Sequence, residues 1–195
     1  MYPIFVKLRG EAALVAGGGK VAERKIRRLL ACGAKATVVS PTLNEGLTKL
    51  EASGAFRWLR RAFEPSDLDG FRLAFALTDS RAVNESMARC ARRLGIWVNS
   101  AHALDDATFH TPGAVQRGAL TVAVSTGGLS PALAKQMREE LEERYGHEYE
   151  ELAALMGEAR GQADEAALER LRKGDVDGAL NILRAWKEKL DECES

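Results

Sequence analysis

A short apolar run that leads through consecutive glycines into a helix-forming stretch constrains this chain more than any other feature. The run covers residues 12–16, and Gly17, Gly19 and Ala22 then fit the dinucleotide fingerprint G-x-G-x-x-G/A. Gly17 allows a tight turn off a strand, Gly19 lets the backbone approach a pyrophosphate, and Ala22 lets helix and strand pack closely. The pattern therefore predicts a dinucleotide site, and the alternative interpretation is a glycine-rich turn without a ligand.

Strand and helix signals alternate along the chain after this motif. Strands are predicted over residues 12–16, 36–39, 56–59, 73–77, 96–99 and 120–125, and one before the motif over residues 2–8. Thr42 is expected to cap a helix after the strand at 36–39, and Ser130 with Pro131 to begin another. Residues 147–195 contain no proline and carry apolar residues at helical spacing. The pattern predicts a Rossmann-like, doubly wound parallel sheet, followed by an all-helical C-terminal part.

The charges are balanced over the whole chain but not within its two halves. Residues 1–100 contain 17 Lys and Arg against 9 Asp and Glu, while residues 101–195 contain 11 against 19. A basic N-terminal half suits an anionic small molecule. Because no aromatic residues interleave with the basic ones, most of them are interpreted as solvated helix faces, and no nucleic-acid partner is predicted.

The cysteine pattern and the apolar runs bear on the compartment. Cys32, Cys90 and Cys193 are scattered and odd in number, and no C-x-x-C occurs. Neither a disulfide framework nor a metal site is therefore predicted. No apolar run approaches the ~20 residues of a membrane helix, and residues 1–10 lack the apolar core of a signal peptide. We expect a cytoplasmic protein with reduced thiols and no membrane partner.

The residues after the strand at 36–39 bear on the choice of cofactor. They are Ser40, Pro41 and Thr42, without the carboxylate that usually binds the ribose about 20 residues after the fingerprint. Ser40 and Thr42 could hydrogen-bond the ribose, but no arginine adjoins them to favour a 2′-phosphate. These residues leave NAD and NADP both open.

The residues after the next two strands are candidates for chemistry. Thr78 and Asp79 follow the strand at 73–77, and His102 and Asp105 follow the strand at 96–99. The carboxyl ends of such strands line the ligand crevice. His102 could exchange a proton near neutral pH, because an unperturbed histidine titrates around pH 6.5. The alternative is a loop histidine beside solvated carboxylates.

Several stretches, in the order in which they occur, together resemble one family. They are the opening at residues 2–8, the nucleotide loop at 15–25, Leu77–Thr78–Asp79, and the stretch 122–134 that contains S-T-G-G-L-S-P. Over about residues 1–145 the chain is similar to the precorrin-2 dehydrogenases, which also form the N-terminal module of siroheme synthases. The last motif is specific, because ordinary Rossmann dehydrogenases lack it.

The resemblance implies a reaction, an assembly and a set of contacts. The family oxidises precorrin-2 to sirohydrochlorin with NAD, and some members also insert iron. Members are homodimers, and each subunit has three parts. The resemblance therefore implies an NAD-binding Rossmann domain at 1–113, a dimerisation segment at 114–146 and a helical domain at 147–195. The carboxylates of the tetrapyrrole substrate agree with the basic N-terminal half. The motif, the strand ends and the matching positions give as cofactor contacts Gly17, Gly19, Lys20, Val21, Ala22, Ser40, Pro41, Thr42, Thr78 and Asp79.

The chain departs from the family pattern at the group proposed to move a proton. Some members place an aspartate where this chain has His102, although this chain has Asp105 three residues further on. Some members also have a serine where this chain has Thr126. The leading hypothesis is an NAD-dependent precorrin-2 dehydrogenase in which His102, or Asp105 in its place, handles the proton. The alternatives are an enzyme that also inserts iron and a non-catalytic nucleotide- or tetrapyrrole-binding dimer.

Overall fold

A computed structural model of the chain describes residues 1–101, 106–162 and 164–193. The chain divides into two compact units, Met1–Thr111 and Pro112–Ser195. The first unit contains the glycine motif and the alternating strands and helices, and the second contains the remaining elements.

The first unit is built on a five-stranded parallel sheet. Its strands are β1 (Ala12–Ala16), β2 (Lys35–Val39), β3 (Arg57–Leu59), β4 (Leu73–Ala76) and β5 (Trp97–Ser100). The helices are α1 (Lys20–Ala31), α2 (Glu45–Ala52) and α3 (Arg81–Arg93), with a 3₁₀ turn at Pro65–Leu68. The strand order β3-β2-β1-β4-β5 reverses at β1, which confirms the predicted Rossmann-like, doubly wound sheet. In such sheets the ligand crevice lies at the carboxyl ends of the strands beside the reversal.

Both faces of the sheet are covered, which explains why the interior of β1 is apolar at successive positions. Val15 packs on one face with Ile26 of α1, and Leu14 packs on the other face with Met87 of α3. All four side chains are fully buried. Because each helix follows a strand directly, this packing fixes the start of α1 and of α3 at the carboxyl edge of the sheet.

Residues 2–8 do not form a strand, and the prediction of one is wrong. Tyr2 and Phe5 are 87% and 75% exposed, and the segment carries no regular structure. Its alternating apolar residues favour extended backbone, but a strand also needs a neighbour that offers free N–H and C=O groups. In the first unit the sheet is bordered by β3 and β5, and neither pairs with this segment.

The second unit combines a hairpin with four helices. The strands β6 (Gly113–Arg117) and β7 (Leu120–Val124) pair antiparallel around a turn in which Gly118 has φ +53. The helices are α4 (Pro131–Arg144), α5 (Glu148–Glu158), α6 (Asp164–Arg172) and α7 (Val176–Cys193). Leu152, Ala167 and Leu183 are buried together between α5, α6 and α7. This packing explains the helical spacing of apolar residues after residue 147.

Candidate functional site

The glycine loop is packed against the turns that follow the two neighbouring strands. Gly17 has φ +128, a region that favours glycine, and a Cβ there would overlap the carbonyl of Leu77 after β4. A Cβ at Gly18 would overlap the carbonyl oxygen of Thr42 after β2. The fold itself therefore requires these two glycines, before any ligand is considered.

Gly19 differs from its two neighbours because it faces open space. A Cβ there would meet no protein atom within 4 Å, and Gly19 precedes α1 without any side-chain cap. By contrast, the side chains of Asn44, Ser80 and Ser130 cap α2, α3 and α4. An uncapped helix start presents free N–H groups and the positive end of the helix dipole, which together hold phosphates. A dinucleotide fits here, because Gly19 leaves the room that its pyrophosphate needs.

The turn after β2 is tied to the glycine loop by hydrogen bonds. The backbone N–H of Asn44 donates to the carbonyl oxygen of Gly18 at 2.8 Å. The side-chain amide of Asn44 donates to Glu23 Oε2, also at 2.8 Å. Ser40 is buried, and its hydroxyl donates to the carbonyl oxygen of Thr42 at 2.7 Å. The glycine loop and the turn expected to hold the ribose therefore pack together as one unit.

The turn after β4 is built around Asn84, a residue that the sequence analysis missed. Asn84 is fully buried on α3, and its Oδ1 accepts from the backbone N–H and the hydroxyl of Thr78 at 3.0 and 2.8 Å. Its Nδ2 donates to the carbonyl oxygen of Thr78 at 2.8 Å. Thr78 is thereby held at the crevice, next to the exposed Asp79.

Thr108 lies beside β5 at the edge of the sheet. The N–H of Thr108 donates to the carbonyl oxygen of Val98 at 2.8 Å, and its hydroxyl accepts from the N–H of Val98 at 2.7 Å. Phe109 then packs into the core on the α1 face, and Lys25 of α1 donates to the hydroxyl of Thr111. Sequence patterns carry no signal for this last contact, because its partners lie 86 residues apart.

The structure brings the predicted cofactor residues together at the carboxyl edge of the sheet. The members that a ligand could reach are exposed: Gly19, Lys20, Val21, Pro41, Thr42 and Asp79. The members that shape this edge from within are buried or half-buried: Gly17, Ala22, Ser40 and Thr78. The two predicted proton carriers, His102 and Asp105, lie outside the described residues, and their roles stay predictions.

Two features are absent from the part of the chain that the structure describes. Within residues 1–101, 106–162 and 164–193, no three His, Cys, Asp or Glu side chains are grouped so that they could hold a metal ion. Within the same ranges, no helix combines the length and the apolar character needed to cross a membrane. Cys32, Cys90 and Cys193 are free thiols.

Two family models and several curated proteins are similar to this chain. Residues 4–113 match a family described as putative NAD(P)-binding, and residues 117–144 match the sirohaem biosynthesis protein central family. A siroheme synthase of Methylobacillus flagellatus is 43% identical over 172 residues, which are 88% of this chain and 36% of that protein. A siroheme synthase of Methylococcus capsulatus is 42% identical over 164 residues, which are 84% and 35% of the two chains. The chain thus spans about a third of the length of these curated relatives.

A solved structure agrees with the sequence relatives. SirC, a precorrin-2 dehydrogenase, matches with a TM-score of 0.74 at 28% sequence identity, over 95% of this chain and 100% of that chain. These matches confirm the resemblance to precorrin-2 dehydrogenases and to siroheme synthases, and they support a nicotinamide cofactor. Residues 117–144 match the model of the sirohaem biosynthesis central family, and the chain itself belongs to the putative NAD(P)-binding family whose model spans residues 4–113.

Proposed function

We propose that this chain is a dehydrogenase that oxidises precorrin-2 to sirohydrochlorin with NAD. The observation that carries the proposal is the open position at Gly19, at the uncapped start of α1, in a chain of an NAD(P)-binding family. The oxidation removes a hydride and a proton from the tetrapyrrole, and bound NAD supplies the hydride acceptor.

The chain's own residues bind and orient the cofactor. The backbone N–H groups from Lys20 onward bind the pyrophosphate, and the positive end of the α1 dipole stabilises its charge. The exposed Pro41 and Thr42 lie at the end of β2, where the ribose of a dinucleotide binds in this fold. Thr78 and Asp79 lie on the other side of the glycine loop and line the crevice toward the reacting ring.

We assign the removal of the substrate proton to His102, with Asp105 as the alternative. Both follow β5, whose carboxyl end neighbours that of β4 in the sheet. A general base acts only within hydrogen-bond reach of the proton that it removes, and a group that titrates near the working pH is the most effective. An ordinary histidine meets the second condition near neutral pH, which favours His102 over Asp105.

The substrate class agrees with the charge of the N-terminal half. Residues 1–100 carry 17 basic against 9 acidic side chains, an excess of eight positive charges that attracts a polycarboxylate. We infer no nucleic-acid partner. The three free cysteines agree with a reducing, cytoplasmic compartment.

We also propose that the chain acts as a homodimer through its second unit. No residue of α4 is buried, and Leu129, Leu133 and Met137, spaced four residues apart, are 92%, 52% and 42% exposed. An apolar row of this kind marks an interaction surface. A second copy of the chain offers a matching row, as a twofold interface requires.

A spectrophotometric assay with precorrin-2 and NAD tests the function. We expect sirohydrochlorin and NADH to form in equal amounts, and the Gly19→Asp variant to form neither. Binding of nucleotide and tetrapyrrole without turnover would overturn the proposal in favour of the non-catalytic dimer. A parallel reaction with ferrous ion tests the other alternative, since formation of siroheme would add iron insertion to the dehydrogenase.

A further inference from the structure

The carboxyl end of β3 lies directly beside the turn expected to hold the cofactor ribose. β2 and β3 are parallel neighbours, with Val39 opposite Leu59. The N–H of Ser40 then donates to the carbonyl oxygen of Leu59 at 3.2 Å. Arg60 is the next residue after Leu59, and its side chain is exposed. The sheet therefore brings an arginine next to Ser40 that is 20 residues away in sequence.

Trp58 connects this arginine to the same turn. Its indole Nε1 donates to the carbonyl oxygen of Ser40 at 2.9 Å, which fixes the ring against the end of β2. The guanidinium carbon of Arg60 lies 5.4 Å from the centroid of that ring. A cation over a tryptophan face is held by the ring's negative face, so the charge is kept near the turn.

Arg60 differs from Arg61, which follows it in the chain. The guanidinium of Arg61 is bound to the carboxylate of Asp67, with Nη1 2.8 Å from Oδ2. Arg60 forms no ion pair with a carboxylate among the residues that the structure describes. Its charge is therefore available to a ligand at the ribose position.

The chemistry at this position decides between the two nicotinamide dinucleotides. An acidic side chain at the end of the second strand binds the 2′-hydroxyl of NAD, whereas a nearby arginine accommodates the 2′-phosphate of NADP. The turn Ser40, Pro41, Thr42 carries no carboxylate that would repel a phosphate. A planar guanidinium matches phosphate oxygens with two parallel hydrogen bonds.

We propose that Arg60 enables the cofactor site to accept a 2′-phosphate, so that the chain binds NADP as well as NAD. This inference rests on the proposed nicotinamide site. The specificity lies in a side chain beside the glycine loop, while the loop itself binds the pyrophosphate that both dinucleotides share. Arg60 is therefore expected to contribute to the binding of NADP and to have little effect on the binding of NAD.

Calorimetric titration of the full chain with NAD and with NADP tests the inference without any need for turnover. We expect dissociation constants within about threefold of each other, because one site binds both dinucleotides. Arg60→Ala should weaken the binding of NADP about tenfold, as expected for the loss of a charged hydrogen bond, and the binding of NAD less than about twofold. Arg60→Lys keeps the charge and should recover part of the NADP affinity. Arg57→Ala, an exposed arginine at the other end of the same strand, is the control for net charge.

The possible outcomes separate this inference from the proposed function. Binding of NAD with little or no binding of NADP would overturn the inference and leave the dehydrogenase proposal standing. Equal weakening of both dinucleotides by Arg60→Ala would also overturn it, because Arg60 would then contact a part that they share. A folded chain that binds neither dinucleotide would overturn both proposals. Thermal unfolding of each variant shows whether a lost affinity reflects a lost fold.

Discussion

Arg61 holds the carboxylate of Asp67 with both terminal nitrogens of its guanidinium. Nη1 donates to Oδ2 at 2.8 Å, and Nη2 contacts Oδ1. The backbone N–H of Glu64 donates to the same carboxylate at 2.8 Å, and the side chain of Asp67 is only 4% exposed. The hydrogen bonds from Arg61, and then the one from Glu64, hold the pKa of Asp67 below its ordinary value. The pair fixes the connection between β3 and β4.

This pair makes the fold sensitive to acid. Because the folded pKa of Asp67 is lowered, its carboxylate stabilises the fold above the unfolded pKa of about 3.9, and this is lost as the pH falls through the folded pKa. Asp67→Asn should lower the free energy of unfolding by about 1–2 kcal/mol near neutral pH, since Arg61 is partly exposed. Urea unfolding near neutral pH and at about pH 3 should show this difference shrinking in acid. If the difference in stability between the unchanged chain and Asp67→Asn were the same at both pH values, the lowered pKa of Asp67 would be contradicted.

The adjacent glycines Gly18 and Gly19 should respond differently to substitution. Gly18→Ala forces a methyl group into the carbonyl of Thr42, and we expect a loss of about 1–3 kcal/mol of stability or more. Gly19→Asp meets open space, so the fold should persist while NAD binding is abolished by steric conflict and phosphate repulsion. Thermal unfolding and calorimetric titration measure the two effects. A folded Gly19→Asp variant with unchanged NAD affinity would show that the pyrophosphate binds elsewhere.

Substitutions at His102 and Asp105 should identify the group that takes the proton. We expect His102→Ala to lower turnover by about 10²–10⁴-fold with NAD affinity nearly unchanged, and Asp105→Asn to have little effect. The dependence of turnover on pH is a second measurement. An enzyme with a histidine base loses turnover as the pH falls through about 6, whereas one with a carboxylate base loses it as the pH falls through about 4. A larger loss in Asp105→Asn would transfer the role to Asp105. Full activity of both variants would mean that water removes the proton.

Lys25 should make stability rise with pH in the alkaline range. Burial, and then the neighbouring charges of Arg24 and Arg28, lower the pKa of Lys25 from 10.5 to about 8. Between these two pH values the unfolded chain binds more protons, so the free energy of unfolding increases with pH. Lys25→Met should remove this increase, measured by urea unfolding at about pH 7 and pH 10. Lys49→Met, at a 75% exposed lysine, is the control and should retain it.

The homodimer should depend on the exposed row that begins at Leu129. Sedimentation at micromolar concentration should show a twofold dimer for the unchanged chain. Leu133→Glu places a charge within the apolar row and should shift the protein to monomers. Leu168→Glu, at a 37% exposed leucine on α6, is the matched control and should stay dimeric. A monomeric unchanged chain would contradict the proposed assembly.

Local patterns predicted most of the first unit, because strand, turn and helix signals there act over a few residues. Gly17 and Ala22 are fingerprint positions by their spacing, and both are buried; their part in cofactor binding stays a prediction. The cap of α2 was misplaced by two residues: Asn44, not Thr42, accepts the N–H of Leu47, at 2.9 Å. Both residue types favour this role, and only the path of the turn decides between them.

Contacts between distant parts of the chain could not be predicted in this way. Residues 2–8 have a strand-like pattern but pair with no strand in the described part of the chain, whereas β6 was missed although it pairs with β7 along its whole length. Arg60 became a candidate only when the sheet placed β3 beside β2. Strand pairing is a property of two segments, and neither segment contains it alone.

The contact of Gly18 with the turn after β2 has a consequence for how such a site changes during evolution. Gly18, Thr42 and Asn44 leave the backbone no room to shift, since any movement of the loop would displace the turn. We therefore expect natural variation at this site to fall on the side chains around the packed backbone, and not on the backbone path. If Arg60 acts as proposed, a single exchange at the end of β3 would change which dinucleotide is preferred, and the backbone of the glycine loop would keep its geometry.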